Sequence, residues 1–254
     1  MQHPELLLFF FTIALVYASV GFGGGSSYLA VLALYALPFQ EMRLIALCCN
    51  IIVVTGGTFF FIRHRQINWK KILPLTLTSV PMAFLGASLK MSKETFYLLL
   101  GFSLLAAAIL LWFRSKPENA IVQSPENKFH FLQNTVLGGA IGFLSGMVGI
   151  GGGIFLAPLL NLLHWDTSKK IAATASVFIL VNSIAGITGQ LLHLPPDLDP
   201  SLLGLFCLAV FVGGQIGSRL GTLKFNALVV RRLTALLVLV AGLEVLFKHL
   251  PWFK

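Results

Sequence analysis

The sequence has few charged residues, and this shortage excludes an ordinary soluble protein. Only 11% of its 254 residues are charged, whereas soluble domains have about 25%; 57% are hydrophobic, and the mean hydropathy is +0.88. Apolar runs of the roughly 20 residues that cross a bilayer recur along the chain. We therefore predict an all-α integral membrane protein.

Cysteine and histidine are also scarce, and they show no metal or disulfide pattern. Cys48 and Cys49 are adjacent and Cys207 stands alone, all within apolar runs, which is not the spacing of a CxxC site or a disulfide framework. We expect no cofactor, no metal and no catalytic activity. The 18 Lys and Arg residues lie mostly in short loops between apolar runs, so they indicate membrane orientation and not nucleic-acid binding.

What the chain does contain is a glycine cluster that occurs twice. Residues 21–25 (Gly-Phe-Gly-Gly-Gly) and 149–153 (Gly-Ile-Gly-Gly-Gly) are 128 positions apart, each within a long apolar stretch. Glycine destabilises a helix interior, so the clusters mark breaks. The 12 residues after each cluster reach only about 18 Å, which is too short to cross a core of about 30 Å. Each stretch is predicted to be a re-entrant hairpin.

Three apolar runs follow each hairpin, so the chain divides into two repeats. The first repeat, 1–113, and the second, 131–254, are joined by a polar linker, 114–130. Because three crossings reverse the direction, the second repeat is predicted to be inverted, as in secondary transporters. The predicted elements are a hairpin at 6–37 with helices at 45–62, 72–89 and 95–113, then a hairpin at 131–163 with helices at 171–192, 202–218 and 229–247.

The basic residues support this topology. With re-entrant hairpins, 13 of the 18 Lys and Arg residues fall on one side and 5 on the other; with single crossings the split is 9 to 9. The positive-inside rule therefore favours hairpins, a cytoplasmic linker and both termini outside the cytoplasm. A ten-span arrangement gives the same split, but the short arms argue against it. The first residues lack the basic region of a secretory signal, so we expect the first segment in the mature protein.

The broken helices predict an anion site. Irregular backbone at membrane depth is tolerated only within protein or beside a wet cavity, and a helix that begins after a break presents free N–H groups and a partial positive charge. Asn50, Thr174 and Ser176 are preferred to Asn182 and Ser183 because they lie near mid-span in the helices directly after the hairpins. Hydrogen bonds between helices explain any one of these residues at least equally well. The predicted substrate-binding residues are Gly23, Gly24, Gly25, Ser26, Ser27, Asn50, Gly151, Gly152, Gly153, Thr174 and Ser176.

Two motifs in combination resemble a known family. The duplicated glycine clusters, with Ile-Phe-Leu-Ala-Pro at 154–158 and Ala-Thr-Ala-Ser at 173–176, are similar to the TauE/SafE family of permeases, the sulfite exporter family, over nearly the whole chain. The resemblance implies transport of a small sulfur-containing anion or organic acid, such as sulfite or a sulfonate, across the bacterial inner membrane. It also implies that the glycine loops and nearby polar residues bind the substrate. Ala30 stands where the second motif has Pro158, so the hairpins are not identical.

Three functions are compatible with these features. The first is a secondary transporter that works by alternating access around a midplane site between the hairpin tips, with a small anion and the lipid bilayer as its partners. The second is a transmembrane thiol oxidoreductase, suggested by Cys48 and Cys49. The third is a non-transporting scaffold, which has no use for duplicated breaks. Arg43, at a helix start near a membrane surface, has two possible roles: attracting an anion towards the site, or, as the favoured alternative, only setting the topology.

Overall fold

The computed structural model describes residues 4–19, 23–35, 37–112, 128–193, 200–220 and 227–249. Regular structure in these ranges consists of ten α-helices and one 3-10 turn, without a strand. The prediction of an all-α protein is therefore confirmed. Gly21 and Phe22 of the first glycine cluster lie outside the described residues, as does the predicted linker up to residue 127.

The two halves contain the same order of helices: one helix, a helix of ten residues, and three longer helices. Ten residues reach about 15 Å, half of a hydrocarbon core. The first half has α1 (Glu5–Ser19), α2 (Gly25–Leu34), α3 (Phe39–Arg63), α4 (Trp69–Ser88) and α5 (Lys93–Trp112). The second half has α6 (Lys128–Val148), α7 (Gly153–Leu162), α8 (Ser168–Gln190), the 3-10 turn Leu191–His193, α9 (Pro200–Leu220) and α10 (Ala227–His249).

Length and composition show that this is a multi-pass membrane protein. Among the described residues, six helices are long and apolar enough to cross a bilayer: α3, α4, α5, α6, α8 and α9. Large apolar side chains also cover the outside of the bundle; Leu8, Phe59 and Trp112 are each 65% to 67% exposed. A surface of this kind is stable against lipid and unstable against water.

α6 and α10 differ from the other long helices. α6 begins the second broken segment, yet it has 21 residues and reaches about 31 Å, whereas α1, at the same place in the first half, has 15. The second hairpin therefore has one long and one short arm.

α10 has 23 residues but is not among the six apolar spans, since Arg232, Glu244 and Lys248 lie towards its ends.

α6 packs against α4 through glycines at every fourth position. A Cβ atom at Gly142 would lie 2.5 Å from the carbonyl oxygen of Ser79, which is closer than side chains approach. Gly138 and Gly146 face the next turns of α4 in the same way. Small residues at this spacing let membrane helices approach closely. The contacts advance together along both helices, so α6 and α4 run parallel.

The same relation holds between α1 and α9. Gly213 and Gly217 of α9 face the backbone carbonyls of Phe11 and Leu15, respectively, so these two helices also run parallel. The first helix of each half thus packs on the fourth helix of the other half. α5 and α10 form a third pair, which is antiparallel, through close contacts at Gly101.

A network of polar contacts defines one face of the bundle, called here the Asp166 face. Lys71, at the start of α4, lies 3.1 Å from one carboxylate oxygen of Asp166, and Lys170 of α8 lies 3.5 Å from the other. The indole N–H of Trp165 donates to the side-chain oxygen of Asn134 over 3.1 Å. The starts of α4, α6 and α8 and the end of α7 therefore meet at this face.

The opposite face is called here the Tyr97 face. The hydroxyl of Tyr97, at the start of α5, donates to the carbonyl of Leu37 over 3.3 Å. The ring of His249 stacks on the ring of Tyr97, with centroids 3.9 Å apart. The ends of α2 and α10 and the start of α5 meet here, so the bundle has two distinct polar ends.

Burial and hydrogen bonding act in opposite directions on Asp166. Burial alone would raise the pKa of its carboxyl group, but the N–H of Thr167 and the cations of Lys71 and Lys170 together bring the pKa below its usual value. The native protein therefore favours the charged carboxylate. Its contribution to stability is present above the unfolded-state pKa of about 3.9 and is lost as the pH falls through the lowered native pKa.

We expect Asp166→Asn to be less stable than the wild type at neutral pH, because the variant loses both ion pairs. The difference should vanish in acid, where wild-type Asp166 is also uncharged. Thermal unfolding of detergent-purified protein at pH values on either side of about 3.9 measures this. Glu244→Gln, which removes an exposed carboxylate, serves as the control and should change little. A difference between Asp166→Asn and wild type that persists in acid would contradict this account.

Two neighbouring glycines of α6 test the packing on α4. Gly142→Ala should destabilise the protein by about 1–3 kcal/mol, because the added carbon overlaps Ser79. At Gly139 the nearest atom to an added carbon is 3.7 Å away, on Met82, so Gly139→Ala should be neutral or stabilising by up to about 1 kcal/mol. Thermal unfolding distinguishes them; equal melting temperatures would argue against close packing at Gly142.

Candidate functional site

The second glycine cluster breaks the chain between α6 and α7. Gly149, Gly151 and Gly152 have φ values of +86°, +80° and +82°, in the left-handed region that strains other residues. Gly152 is the residue that precedes α7, and its carbonyl accepts the first hydrogen bonds of that helix. Because only glycine adopts this backbone conformation without strain, glycine is required at these three positions.

The first cluster needs glycine for a different reason. Gly24, before α2, has an ordinary φ of −98°. The neighbouring glycines are instead required by close approach: a Cβ atom at Gly23 would lie 2.7 Å from the side-chain oxygen of Asn50, and one at Gly25 would lie 2.6 Å from the carbonyl oxygen of Ile150. The first break is thus pressed against α3 and against the second break.

The two breaks meet at one place, called here the tip junction and formed by Gly23, Gly25, Asn50, Ile150 and Gly151. The side-chain amide of Asn50 donates to the carbonyl of Ile150 over 2.9 Å. A Cβ atom at Gly151 would lie 2.8 Å from the Asn50 amide nitrogen and 2.9 Å from the hydroxyl of Ser183 on α8. Asn50 and Ser183 are fully buried. The junction therefore lies inside the bundle, between α3 and α8.

The electrostatics of the junction favour negative charge. Both short helices, α2 and α7, begin there, and neither preceding glycine caps the helix with a side chain. The first N–H groups of a helix lack partners within it and carry its partial positive charge. No Asp or Glu occurs in α2 or α7. An anion at the junction would therefore face two helix N-termini.

Several buried polar atoms near the junction have no hydrogen-bond partner among the described residues. They are the side-chain oxygen of Asn50 and the hydroxyls of Ser145 and Ser183; the side-chain amide of Asn182, the residue before Ser183 in α8, also has no partner there. The Ser145 Cβ lies near Gly152, at 3.3 Å from the position of an added carbon. Buried polar groups are nearly always paired, so this concentration is typical of a site that takes water or a ligand.

The remaining glycines of the predicted site face apolar side chains. A Cβ atom at Gly24 would meet Ile13 and Tyr28, and one at Gly152 would meet Phe178, at 2.7 to 2.9 Å. Gly153 packs on Ile179. These three glycines shape the tips, whereas Gly23, Gly25 and Gly151 face the polar centre.

The hydroxyl groups of the predicted site differ in their hydrogen bonding. Ser27 is hydrogen-bonded over 2.6 Å to the hydroxyl of Tyr17, which in turn donates to Thr234 of α10. Thr174 donates to the carbonyl of Lys170 within its own helix. Ser26 and Ser176 are buried. The structure thus brings Asn50 to the junction directly, whereas Ser27 and Thr174 are engaged elsewhere.

Sequence reasoning ranked Thr174 above Ser183, yet Ser183 is the α8 hydroxyl that meets Gly151. Helical spacing contains a signal for this: Ser176, Ile179 and Ser183 lie three and four residues apart and share one face of α8. Both Ile179 and Ser183 approach Gly151. The spacing identifies the face, but only the packing shows which turn reaches the tips.

The cysteines are closer together than their spacing suggests. The thiols of Cys49 on α3 and Cys207 on α9 lie close enough to interact, although 158 residues separate them. Cys49 is buried, and all three cysteines are free thiols. The pair joins the two halves of the chain.

The structure is that of a multi-pass helical membrane protein. Its helices are apolar and long enough to span a bilayer, and two broken segments meet inside the bundle. Comparison with known proteins identifies the family: residues 6–245 match the family described as "Sulfite exporter TauE/SafE". The chain belongs to this family, which confirms the resemblance drawn from the glycine motifs. No solved structure matches the chain.

Individual relatives are similar over most of their length. The probable membrane transporter protein y4hK of Sinorhizobium fredii is 32% identical over 242 residues, covering 95% of this chain and 97% of the relative. The probable membrane transporter protein YunE of Bacillus subtilis is 25% identical and covers 80% and 81%, respectively. The family and these names indicate a membrane transporter, which fits a protein that is not an enzyme.

Gly25→Ala tests the contact between the two breaks. The added carbon would overlap both the Asn50 amide and the Ile150 carbonyl, so we expect a loss of about 1–3 kcal/mol in stability. Gly56→Ala, at an exposed position of α3 with nothing within 4 Å, is the control and should fold normally. Thermal unfolding in detergent measures both. The contact would be refuted by a Gly25→Ala protein as stable as Gly56→Ala.

Proposed function

We propose that this protein is a secondary transporter of a small sulfur-containing oxyanion or organic acid, such as sulfite or a sulfonate. The observation that carries the proposal is the convergence of two uncapped helix N-termini on one buried point, the tip junction. Donors fixed in this way stabilise negative charge without a cation. The description of the family as sulfite exporters supports the substrate class.

The chemistry of the junction suits an oxyanion with several acceptor oxygens. The hydroxyl of Ser183 and the backbone N–H groups at the starts of α2 and α7 are donors, and hydrogen bonds to a charged group are stronger than neutral ones. Asn50 fixes the second tip through Ile150. The anion loses its water on entry, so several such bonds are needed to offset its desolvation.

The proposed binding residues are a subset of those predicted from the sequence, together with one addition, Ser183. The glycines Gly23, Gly25 and Gly151 give the anion access to the backbone, and Ser183 supplies a hydroxyl. Ser26, next to Gly25 in α2, and Ser176, seven residues before Ser183 in α8, are both buried. Gly24, Gly152 and Gly153 shape the tips, while Ser27 and Thr174 support α2 and α8.

Alternating access requires two related halves that move against each other. We propose that the halves are inverted repeats, and the exchange in helix pairing supports this: α1 packs on α9 as α6 packs on α4. We further propose a bacterial inner-membrane location with both termini outside the cytoplasm. The ion pairs of Lys71 and Lys170 lie on the Asp166 face, which would then be cytoplasmic.

A thiol oxidoreductase is the second candidate, because the thiols of Cys49 and Cys207 lie close together across the two halves. Its chemistry would need both thiols, whereas anion transport needs neither. A protein with Cys48, Cys49 and Cys207 all replaced by Ser should therefore transport at the wild-type rate. Loss of transport in a folded protein of this kind would favour the redox function.

Anion flux into proteoliposomes tests the transport proposal directly. We expect flux of at least one anion among sulfite, thiosulfate, sulfate, short sulfonates and carboxylates. Ser183→Ala should reduce it by about tenfold or more, because a hydrogen bond to a charged group contributes about 1.5–3 kcal/mol. Asn50→Ala should reduce it further by releasing the Ile150 carbonyl.

Two comparisons keep this experiment decisive. Thr55→Val removes an exposed α3 hydroxyl that bonds only to the carbonyl of Ile51, so its flux should equal that of the wild type. Ser183→Ala removes a hydroxyl without a partner, so its melting temperature should not fall. Undiminished flux of every transported anion in Ser183→Ala and Asn50→Ala would rule out the tip junction as the binding site.

A further inference from the structure

A second polar pocket opens near the Tyr97 face, away from the tip junction. It has a volume of about 340 Å³ and lies between the start of α3, the end of α4 and the end of α8. Its polar lining includes Arg43, Lys90, Gln190 and His193. Among the described residues, no Asp or Glu lines it, so every charged or chargeable group that the structure places in its wall is basic.

Arg43 is a buried cation without a carboxylate partner in the described part of the chain. The residue is only 4% exposed. Its terminal nitrogen Nη2 donates to the carbonyl of Gly146 over 2.9 Å and to the carbonyl of Ala87 over 3.3 Å. These carbonyls accept hydrogen bonds from the guanidinium group but do not neutralise its positive charge. The Nε nitrogen has no hydrogen-bond partner within the described ranges. A buried charge of this kind is strongly stabilised by a counter-ion.

Gln190 also lines the pocket and has an unused donor. Its residue is 7% exposed, and the side-chain nitrogen has no hydrogen-bond partner among the described residues. Lys90 and His193 are exposed at the rim. Two buried donors beneath two basic rim residues form an arrangement that concentrates anions.

We propose that this pocket binds an organic anion, with its acid group on Arg43 and Gln190 and a short apolar part against Phe39, Leu44 and Met91. The volume falls in the range of about 300–1,000 Å³ typical of small-molecule sites, and it exceeds what an inorganic oxyanion fills. The apolar residues complete the lining. This site is additional to the proposed transport site and does not depend on it.

The pocket and the tip junction are separate places on the same face of α3. Arg43 and Asn50 are seven residues apart, which is two helical turns or about 10 Å. Both donate to carbonyls of the second hairpin, at Gly146 and Ile150. An anion in the pocket therefore contacts the residue that holds the end of α6, close to the second break.

Thermal stabilisation and calorimetric titration with propane-1-sulfonate test the pocket in the purified full-length protein. We expect concentration-dependent stabilisation of the wild type, because a ligand that binds only the folded state raises its stability. Gln190→Glu should weaken binding at least tenfold, since the new carboxylate repels the anion and pairs with Arg43. Gln66→Glu, the same charge change in the loop between α3 and α4, should bind as the wild type does.

The position of the site is decided by Asn50→Ser. We expect this variant to bind propane-1-sulfonate normally in the pocket, even where its anion flux is lost. If Asn50→Ser abolishes binding and Gln190→Glu does not, the anion lies at the tip junction, and the pocket proposal fails while the transport proposal stands. Absence of any stabilisation of the wild type also overturns the pocket proposal.

An anionic lipid headgroup offers the same acid chemistry as a soluble organic anion. Titrations in nanodiscs of phosphatidylcholine and of phosphatidylglycerol distinguish the two sources. Equal affinity for propane-1-sulfonate in both indicates a soluble ligand, whereas affinity at least tenfold lower in phosphatidylglycerol identifies the headgroup as the occupant. Either result supports the pocket only if Gln190→Glu removes the binding; an unchanged affinity in that variant overturns it.

Discussion

The side-chain amide of Asn50 donates a hydrogen bond to the carbonyl of Ile150, at the place inside the bundle where the backbone is not helical. Hydrocarbon offers no water to such a carbonyl, so a break at this depth persists only if protein groups pair it. The close approach of Gly23, Gly25 and Gly151 follows from the same need, since any side chain there would displace the amide. The two breaks are thus stabilised together.

α3 connects the two polar regions of the molecule. Along one of its faces, Arg43 and Asn50 each donate to a carbonyl of the second hairpin, and unpartnered donors lie beside both. The wall on the opposite side comes from α8, through Ser183 at the junction and Gln190 at the pocket. Two helices from different halves of the chain therefore line both candidate anion sites.

The features visible in the sequence were those with a local physical cause. Glycine clusters mark breaks because glycine is unfavourable in helix interiors, and the shortness of the arms after them follows from helix rise. Other features arise from packing between distant segments. The contact of Ser183 with Gly151, the burial of Arg43 against Gly146 and the proximity of Cys49 to Cys207 depend on neighbours 32, 103 and 158 residues away, which no local pattern contains.

The parallel packing of α1 on α9 also has a consequence for synthesis. Phe11 and Leu15 meet glycines about 200 residues later in the chain, at Gly213 and Gly217. At about 5–20 residues per second, α1 waits roughly 10–40 s in the bilayer before that partner is translated. During this time its apolar side chains face lipid, and Tyr17 lacks Thr234. The first half of the protein is therefore inserted well before it can be assembled.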